Sequence, residues 1–318
     1  MGPISRRTAL SLPLLGALAG CLGPAWDELP VTHLTLATGN PGGVFHRYGQ
    51  ALAGVLQRRL HGLTVTTRRT DASVQNLRLV SDGECDLGLS LGDAAADAIR
   101  GRGAFATPLD VVALTRIYDS FVHLVVRADS RVTDVEDLRG RRVGIGSQDS
   151  GTRVVATRVL REAGVPLSGI RAGSQPLEES TEALRDGALD AFFFVSGIPN
   201  QAIARLATQT RIRLLDLSAL VGPLTRRFGP EYAAGPLPAS MYGLEGSVDT
   251  VSVKNHLVAR PDLPDDVAYA VTRVLFEARD AVDRRAPGVR QPNLGAAVFT
   301  SPLELHPGAV RYYRERHP

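Results

Sequence analysis

Two glycine-bearing loops carry the residues best suited to hold a small anion: Gly39-Asn40-Pro41-Gly42-Gly43 and Gly146-Ser147-Gln148-Asp149-Ser150-Gly151-Thr152. Glycine lets backbone N–H groups approach a ligand with no Cβ in the way. Each loop opens a helix, and the first turn of a helix has N–H donors without partners and a partial positive charge. Such a terminus seats anions. Gly42 and Gly43 with the Thr38 hydroxyl would donate to a carboxylate. A tight turn is the plainer reading, and the recurrence of the device in the second loop favours the site. Ser147, Ser150, Gly151 and Thr152 would donate from the opposite side, one of them also capping its helix. Ser73 and Asn76 have both a capping and a ligand reading. Asp93 would accept from a ligand ammonium or cap the helix after Gly92. Phe45, Phe194 and Tyr242 would wall the site, though a core role fits Phe194 better. His46 is a ligand contact or a solvated helix residue. Arg47 and Arg69 are carboxylate partners on charge alone.

Catalytic readings of the same loops lack parts. Gly146 to Thr152 has the spacing of a phosphate loop without its lysine. Gly144-Ile145-Gly146 starts a dinucleotide fingerprint, but Asp149 stands at the third glycine. Asp149-Ser150-Gly151 has the order of a serine-protease nucleophile, yet nothing marks a partner histidine. His33, His46, His61, His123, His256, His306 and His317 are dispersed, with no metal spacing. No cofactor or metal is implied.

The elements that hold these loops follow one order twice. Val31 to Ala37 alternates as a strand, the first loop follows, and a helix from about Val44 to Leu60 carries Leu52, Val55 and Leu56 on one face. Leu63 to Thr67 is a strand, and Asp71-Ala72-Ser73 caps a helix with Val74, Leu77 and Val80. Gly83-Glu84-Cys85-Asp86 turns into the strand Leu87 to Leu91, and Gly92-Asp93 starts another helix. The second copy runs from the strand Arg141 to Ile145 through its loop to the helix Val154 to Ala163. A weak strand at Ile170, the helix Leu177 to Arg185, the turn Gly187-Ala188-Leu189-Asp190 and the strand Ala191 to Val195 complete it. Pro108 to Leu114 and Phe121 to Arg127 connect the copies. Val221 to Gly246 is rich in proline and glycine, Thr250 to Ala259 returns to the first copy, and Pro264-Asp265-Asp266 caps the last clear helix. Alternating strands and helices imply an α/β fold with parallel sheets, whose ligands sit beyond the carboxyl ends of the strands.

At 318 residues the chain suggests two domains. The N-terminus reads as an export signal: Ser5-Arg6-Arg7-Thr8, an apolar run from Leu10 to Leu18, then Leu18-Ala19-Gly20-Cys21. The run is too short to span a bilayer. Cys21 after Leu-Ala-Gly resembles a bacterial lipobox, in which the cysteine is lipidated and tethers the protein to the outer face of a membrane. The twin arginine fits a Tat or a Sec signal. The expected organisation is a signal at 1–20, a tether at 21–30, the first part of lobe 1 at 31–125, lobe 2 at 126–250, and completion of lobe 1 at 251–318. The net charge is +3, and removal of Arg6 and Arg7 takes it to +1. That is too weak and scattered for a nucleic-acid surface. With Cys21 lipidated, Cys85 is left without a disulfide partner and reads as a small buried hydrophobe.

Taken together, Ala37-Thr38-Gly39, Gly42-Gly43, Gly49, Ser73-Val74-Gln75-Asn76-Leu77, Gly83-x-x-Asp86-Leu87-Gly88, Asp93, Leu138-x-Gly140-x-x-Val143, Ser150-Gly151-Thr152 and Asp190-Ala191-Phe192-Phe193 resemble the TAXI family of TRAP-transporter solute receptors. The resemblance spans about Leu34 to Phe276. It implies a two-lobed type II periplasmic-binding-protein fold and a non-enzymatic, exported receptor. Its ligand would be a small organic acid such as glutamate, glutamine or a related dicarboxylate. Its partners would be TRAP membrane subunits, which use an ion gradient rather than ATP. The sequence departs from the family in places. Phe45 and His46 replace two tyrosines, Thr70-Asp71-Ala72-Ser73 replaces Thr-Gly-Gly-Ser, and Leu91-Gly92-Asp93 keeps only the acid of Gln-Ser-Asp. Pro238-Ala239-Ser240-Met241-Tyr242 keeps part of a Pro-Ala-x-x-Tyr segment. A ligand-sensing lipoprotein serving a signalling partner is the alternative. An exported hydrolase built on Ser150 is the third reading.

Overall fold

The computed structural model describes residues 29–289 and 291–316. The signal segment and Cys21 lie outside the described residues. Among the described residues no helix is long and apolar enough to cross a membrane.

The first structural unit is β1 (His33–Ala37), α1 (Val44–Arg59), β2 (Thr64–Arg68), α2 (Ser73–Ser81), β3 (Leu87–Leu91) and α3 (Gly92–Ala98). After the long strand β4 (Val112–Arg127), the same order recurs. It runs β5 (Arg142–Gly144), α4 (Gly151–Glu162), β6 (Arg171–Gly173), α5 (Leu177–Arg185), β7 (Ala191–Ser196) and α6 (Gln201–Gln209). The chain continues through β8 (Ile212–Leu214), α7 (Ser218–Phe228), β9 (Tyr232–Pro238), the long β10 (Ser247–Ala259), α8 (Asp265–Glu277), α9 (Arg279–Asp283), α10 (Leu294–Ala297) and α11 (Pro307–Arg316).

One local device builds both units. In each, a positive-φ glycine, Gly83 or Gly187, turns the chain into the third strand. The aspartate three residues on then reaches back to the first strand. Asp86 Oδ2 accepts from Thr35 N–H at 2.8 Å, and Asp190 Oδ2 accepts from Arg142 N–H at the same distance. β1 pairs in parallel with β2 and β3, as β5 does with β6 and β7. β3 is buried at every position, as a strand covered on both faces requires.

Parallel pairing does not extend through the whole sheet. The strand order is β2-β1-β3-β10-β4-β7-β5-β6, and β10 and β4 run antiparallel to each other and to their flanking strands. These two strands pass from one lobe to the other. The carboxyl half of β10 pairs with β3, its amino half with β9, and its register against β4 breaks between Lys254 and His256 and again between Leu257 and Val258. β4 joins the two apolar stretches expected at Pro108–Leu114 and Phe121–Arg127. The polar residues between them are accommodated partly because Arg116 and Asp119 pair with each other at 2.7 Å.

Four helices escaped the sequence pattern: α7, α9, α10 and α11. α7 contains Pro223, which lacks the N–H a helix interior uses. α11 packs on α8, with Tyr312 and Tyr313 buried. The first-lobe core lies between the sheet and α1, α8 and α11, where Leu34, Leu36, Leu52, Leu56 and Val271 are fully buried. Each such side chain contributes roughly 1.5–3 kcal/mol of apolar burial.

Candidate functional site

The loops at 39–45 and 146–152 face each other across the gap between the lobes. They enclose a cavity of about 40 Å³, also lined by Asp71, Ala72, Ser73, Leu91, Ser120, Leu177 and the β7 end from Phe194 to Gly197. That is space for a few water molecules, as in a cleft that has closed. Four helix amino ends converge on it: Val44 and Phe45 of α1, Ser73 of α2, Gly151 and Thr152 of α4, and Leu177 of α5. Each end carries part of the helix dipole. α1 has no side-chain cap, and at α4 the Ser150 hydroxyl accepts only from Arg153 N–H. Among the described residues, the lining holds one ionisable side chain, Asp71, and no cationic one.

Gly43, Phe45, Ser73, Ser147, Ser150, Gly151 and Thr152 all line the cavity. Ser150 is also the α4 cap, its hydroxyl donating to Ser147 O at 2.7 Å. Thr152 Oγ1 accepts from Val195 N–H and ties α4 to β7. The Ser73 hydroxyl accepts from Leu91 N–H, which fixes α2 against the end of β3.

The remaining sequence-selected residues face elsewhere. Asn76 is fully buried and spends its amide on Ala37, Thr38 and Leu89 carbonyls while accepting from the Thr70 hydroxyl. It locks α2 to the strand ends and has no donor left for a ligand. Thr38 is likewise buried, its hydroxyl donating to Arg68 O. Gly42, at φ +79°, turns away and lies against Glu178, and its carbonyl accepts from Asn200 Nδ2. His46 sits outside the lining; burial and the charge of Arg69 lower its pKa. Arg47 donates to Pro199 O across the gap. Asp93 lies behind the cavity and is held by Arg158 and Tyr232.

Tyr242 supports the β7 end from behind. Its O–H donates to His123 Nε2 at 2.7 Å, while its oxygen accepts from Asn200 N–H. That arrangement leaves Nδ1 as the His123 donor, toward Phe121 O at 3.0 Å. Both ring nitrogens are therefore committed in the neutral form. Burial lowers the His123 pKa to about 4 and that of His256, with help from Lys254 and Arg116, to about 3. These depressed values stabilise the fold above the unfolded histidine pKa near 6.5. The contribution is lost as pH falls through the folded values. Urea denaturation is expected to show stability dropping between pH 6.5 and 4, on the order of 3 kcal/mol from His123 alone. A flat profile over that window would contradict the assignment.

The lobes also bond directly. Val74 and Gln75 N–H both donate to Asp149 O at 3.1 Å, so a carbonyl from the second lobe completes the α2 terminus. Arg78 pairs with the Asp149 carboxylate at 2.8 Å, and Ser147 Oγ meets Asn40 Oδ1 at 3.3 Å. Arg158 on α4 reaches α3, donating to Asp93 at 3.0 Å and to Asp97.

Sequence reasoning marks Ala72 only as a replacement for a family glycine, and the Asp149 carbonyl not at all. Ala72 has φ 84° and ψ −136°, a conformation suited to glycine. It costs a residue with a Cβ about 1–3 kcal/mol. Ala72→Gly is expected to raise unfolding stability by about 1–2 kcal/mol, read by urea denaturation. A loss of stability would show that the Ala72 methyl contributes more than the strain it causes.

A sequence model of the NMT1-like family matches residues 36–316. The fold is also that of several solved proteins. One is PhnD1 from Prochlorococcus marinus in complex with methylphosphonate, with 14% identity and a TM-score of 0.56, over 82% of this chain and 91% of that one. Another is a binding protein component of an ABC phosphonate transporter from Pseudomonas aeruginosa, with 11% identity and a TM-score of 0.57, over 81% and 80% of the two chains. A third is a Xanthomonas citri protein bound to a chloride ion, with 12% identity and a TM-score of 0.51, over 90% and 96%.

Proposed function

This chain belongs to the NMT1-like family, and from that premise we propose that it is an extracytoplasmic solute-binding receptor. It closes two lobes on a small organic anion and hands it to the membrane subunits of a TRAP transporter, as the TAXI-type motifs imply. The observation that carries this reading is the convergence of helix amino ends from both lobes on a cleft whose lining, among the described residues, holds no cationic side chain. Helix termini and hydroxyls stabilise a carboxylate without an arginine, and exclusion of water on closure strengthens each contact. The Cys21 anchor would place the receptor at the outer face of the membrane. The ligand-sensing alternative uses the same cleft, and a TRAP permease gene beside this one would favour transport.

Asp71 sharpens the ligand class. A carboxylate at the cleft edge favours a ligand that also carries an ammonium, so L-glutamate or L-glutamine fits better than a plain dicarboxylate. Thermal shifts with L-glutamate, L-glutamine, succinate and methylphosphonate test this, alongside native mass spectrometry of the protein as purified. An amino acid is expected to raise the melting temperature. Asp71→Asn should weaken it by about 10–100-fold, the cost of one charged hydrogen bond, and should tighten rather than weaken succinate binding. Gly43→Val should remove the rise, because a Cβ there already stands 3.1 Å from Asn40 O and 3.6 Å from the Phe194 ring. A panel of acids with no shift would count against the receptor reading as a whole.

A further inference from the structure

A second concavity lies between the lobes on the far side of Asp149. It measures about 630 Å³ and takes walls from α2, the turn after α3, α4 and α7. Its lining holds seven arginines and two carboxylates, Asp97 and Asp149, giving a balance of +5. The whole chain carries only +3, so positive charge is concentrated here. Both carboxylates are already engaged, Asp97 by Arg158 and Asp149 by Arg78. Glu162 outside the lining takes Arg227 at 3.2 Å. The exposed Arg100 and Arg102 from the first lobe and Arg161 from the second make no ion pair with a described carboxylate within 4.0 Å. Arg158 is fixed over the Phe228 ring at 4.4 Å, and Arg78 also donates to Ala104 O.

The groove brings guanidinium groups from both lobes together. Their mutual repulsion opposes closure, and a bound anion of high charge would reverse that sign. Guanidinium forks match the oxygens of such an anion two at a time. We propose that the arginine groove is a second anion site, separate from the cleft, that takes a small multivalent oxyanion of the polyphosphate type and holds the lobes together. Because it spans both lobes, its ligand binds the closed form better. By linkage it raises the affinity of the cleft for its own ligand by the same factor.

The test needs no cleft ligand, so its failure is distinct from failure of the receptor reading. The mature chain is titrated calorimetrically with inorganic tripolyphosphate at ionic strength held constant with NaCl, and with sulfate for comparison. One site is expected, at least tenfold tighter for tripolyphosphate than for sulfate. Arg102→Glu with Arg161→Glu should weaken it at least tenfold. Arg59→Glu with Arg285→Glu, an equal charge change on a distant surface, should alter it less than twofold. Absence of binding, equal affinity for sulfate, or equal losses in the two double variants would each overturn the proposal. If circular dichroism shows the groove variant unfolded, Arg102→Gln with Arg161→Gln replaces it under the same criteria.

Discussion

Gly151→Ala is expected to keep the lobes from closing. A Cβ at this position would stand 2.5 Å from Leu91 Cδ1 and 2.6 Å from Ser73 Oγ, both on the opposite lobe. Neither neighbour can yield easily. Leu91 is buried at the end of β3, and Ser73 Oγ is held by Leu91 N–H. A single methyl therefore acts as a wedge. Separating the lobes forfeits the two bonds to Asp149 O and the Arg158 pairs, several interactions of about 1–3 kcal/mol each. The expected result is a loss of ligand affinity of about 100-fold or more with little change in the unfolding free energy of the unliganded chain, whose lobes remain folded. Small-angle scattering supplies the decisive comparison. The radius of gyration of the unmodified chain should fall when ligand is added, and that of Gly151→Ala should not. Equal contraction in both proteins would mean that the gap at Gly151 has no part in closure.

The second large effect is expected at Arg158. Its guanidinium serves Asp93, Asp97 and the Tyr232 hydroxyl at once, and the Asp93 side chain has no solvent exposure. Burial works against the Arg158 charge, but Tyr232, Asp93 and Asp97 outweigh it and raise its pKa. Arg158→Met removes the charge and leaves buried carboxylates without compensation, a change worth about 3–5 kcal/mol. Opening lets water reach the acids, so much of this cost should appear as weaker ligand binding rather than as unfolding. Lysine is not a substitute, because one ammonium cannot serve two carboxylates and stack on Phe228. Adding Asp93→Asn and Asp97→Asn to Arg158→Met should recover most of the loss, a coupling read from a mutant cycle. Additive losses would show that the three side chains do not act together.

The repeated unit was legible because local rules build it. Asp86 and Asp190 stand three residues after a turning glycine, and each pins the first strand of its unit. Alternation and glycine placement therefore led to the facing loops directly. Side-chain duty was less legible. Thr38 and Asn76 have types suited to a ligand, but only the packed strand ends reveal that carbonyls consume their donors. The Arg158–Asp93 pair joins residues 65 apart in sequence, beyond the reach of any periodicity. β4 was read as two pieces because Thr115 to Ser120 is polar. α7 was hidden by Gly222 and Pro223, whose intrinsic cost the tertiary packing of Leu224 offsets.

The first of the two register breaks between β10 and β4 follows Lys254, which is the only lysine in the sequence. Its side chain is about one-fifth exposed and sits 3.7 Å from Glu231. Amine-directed chemistry thus has a single side-chain target, on the strand that pairs with β3 at one end and β9 at the other. A fluorophore attached there would need no engineered cysteine, and its anisotropy would report on the strand that links the two lobes.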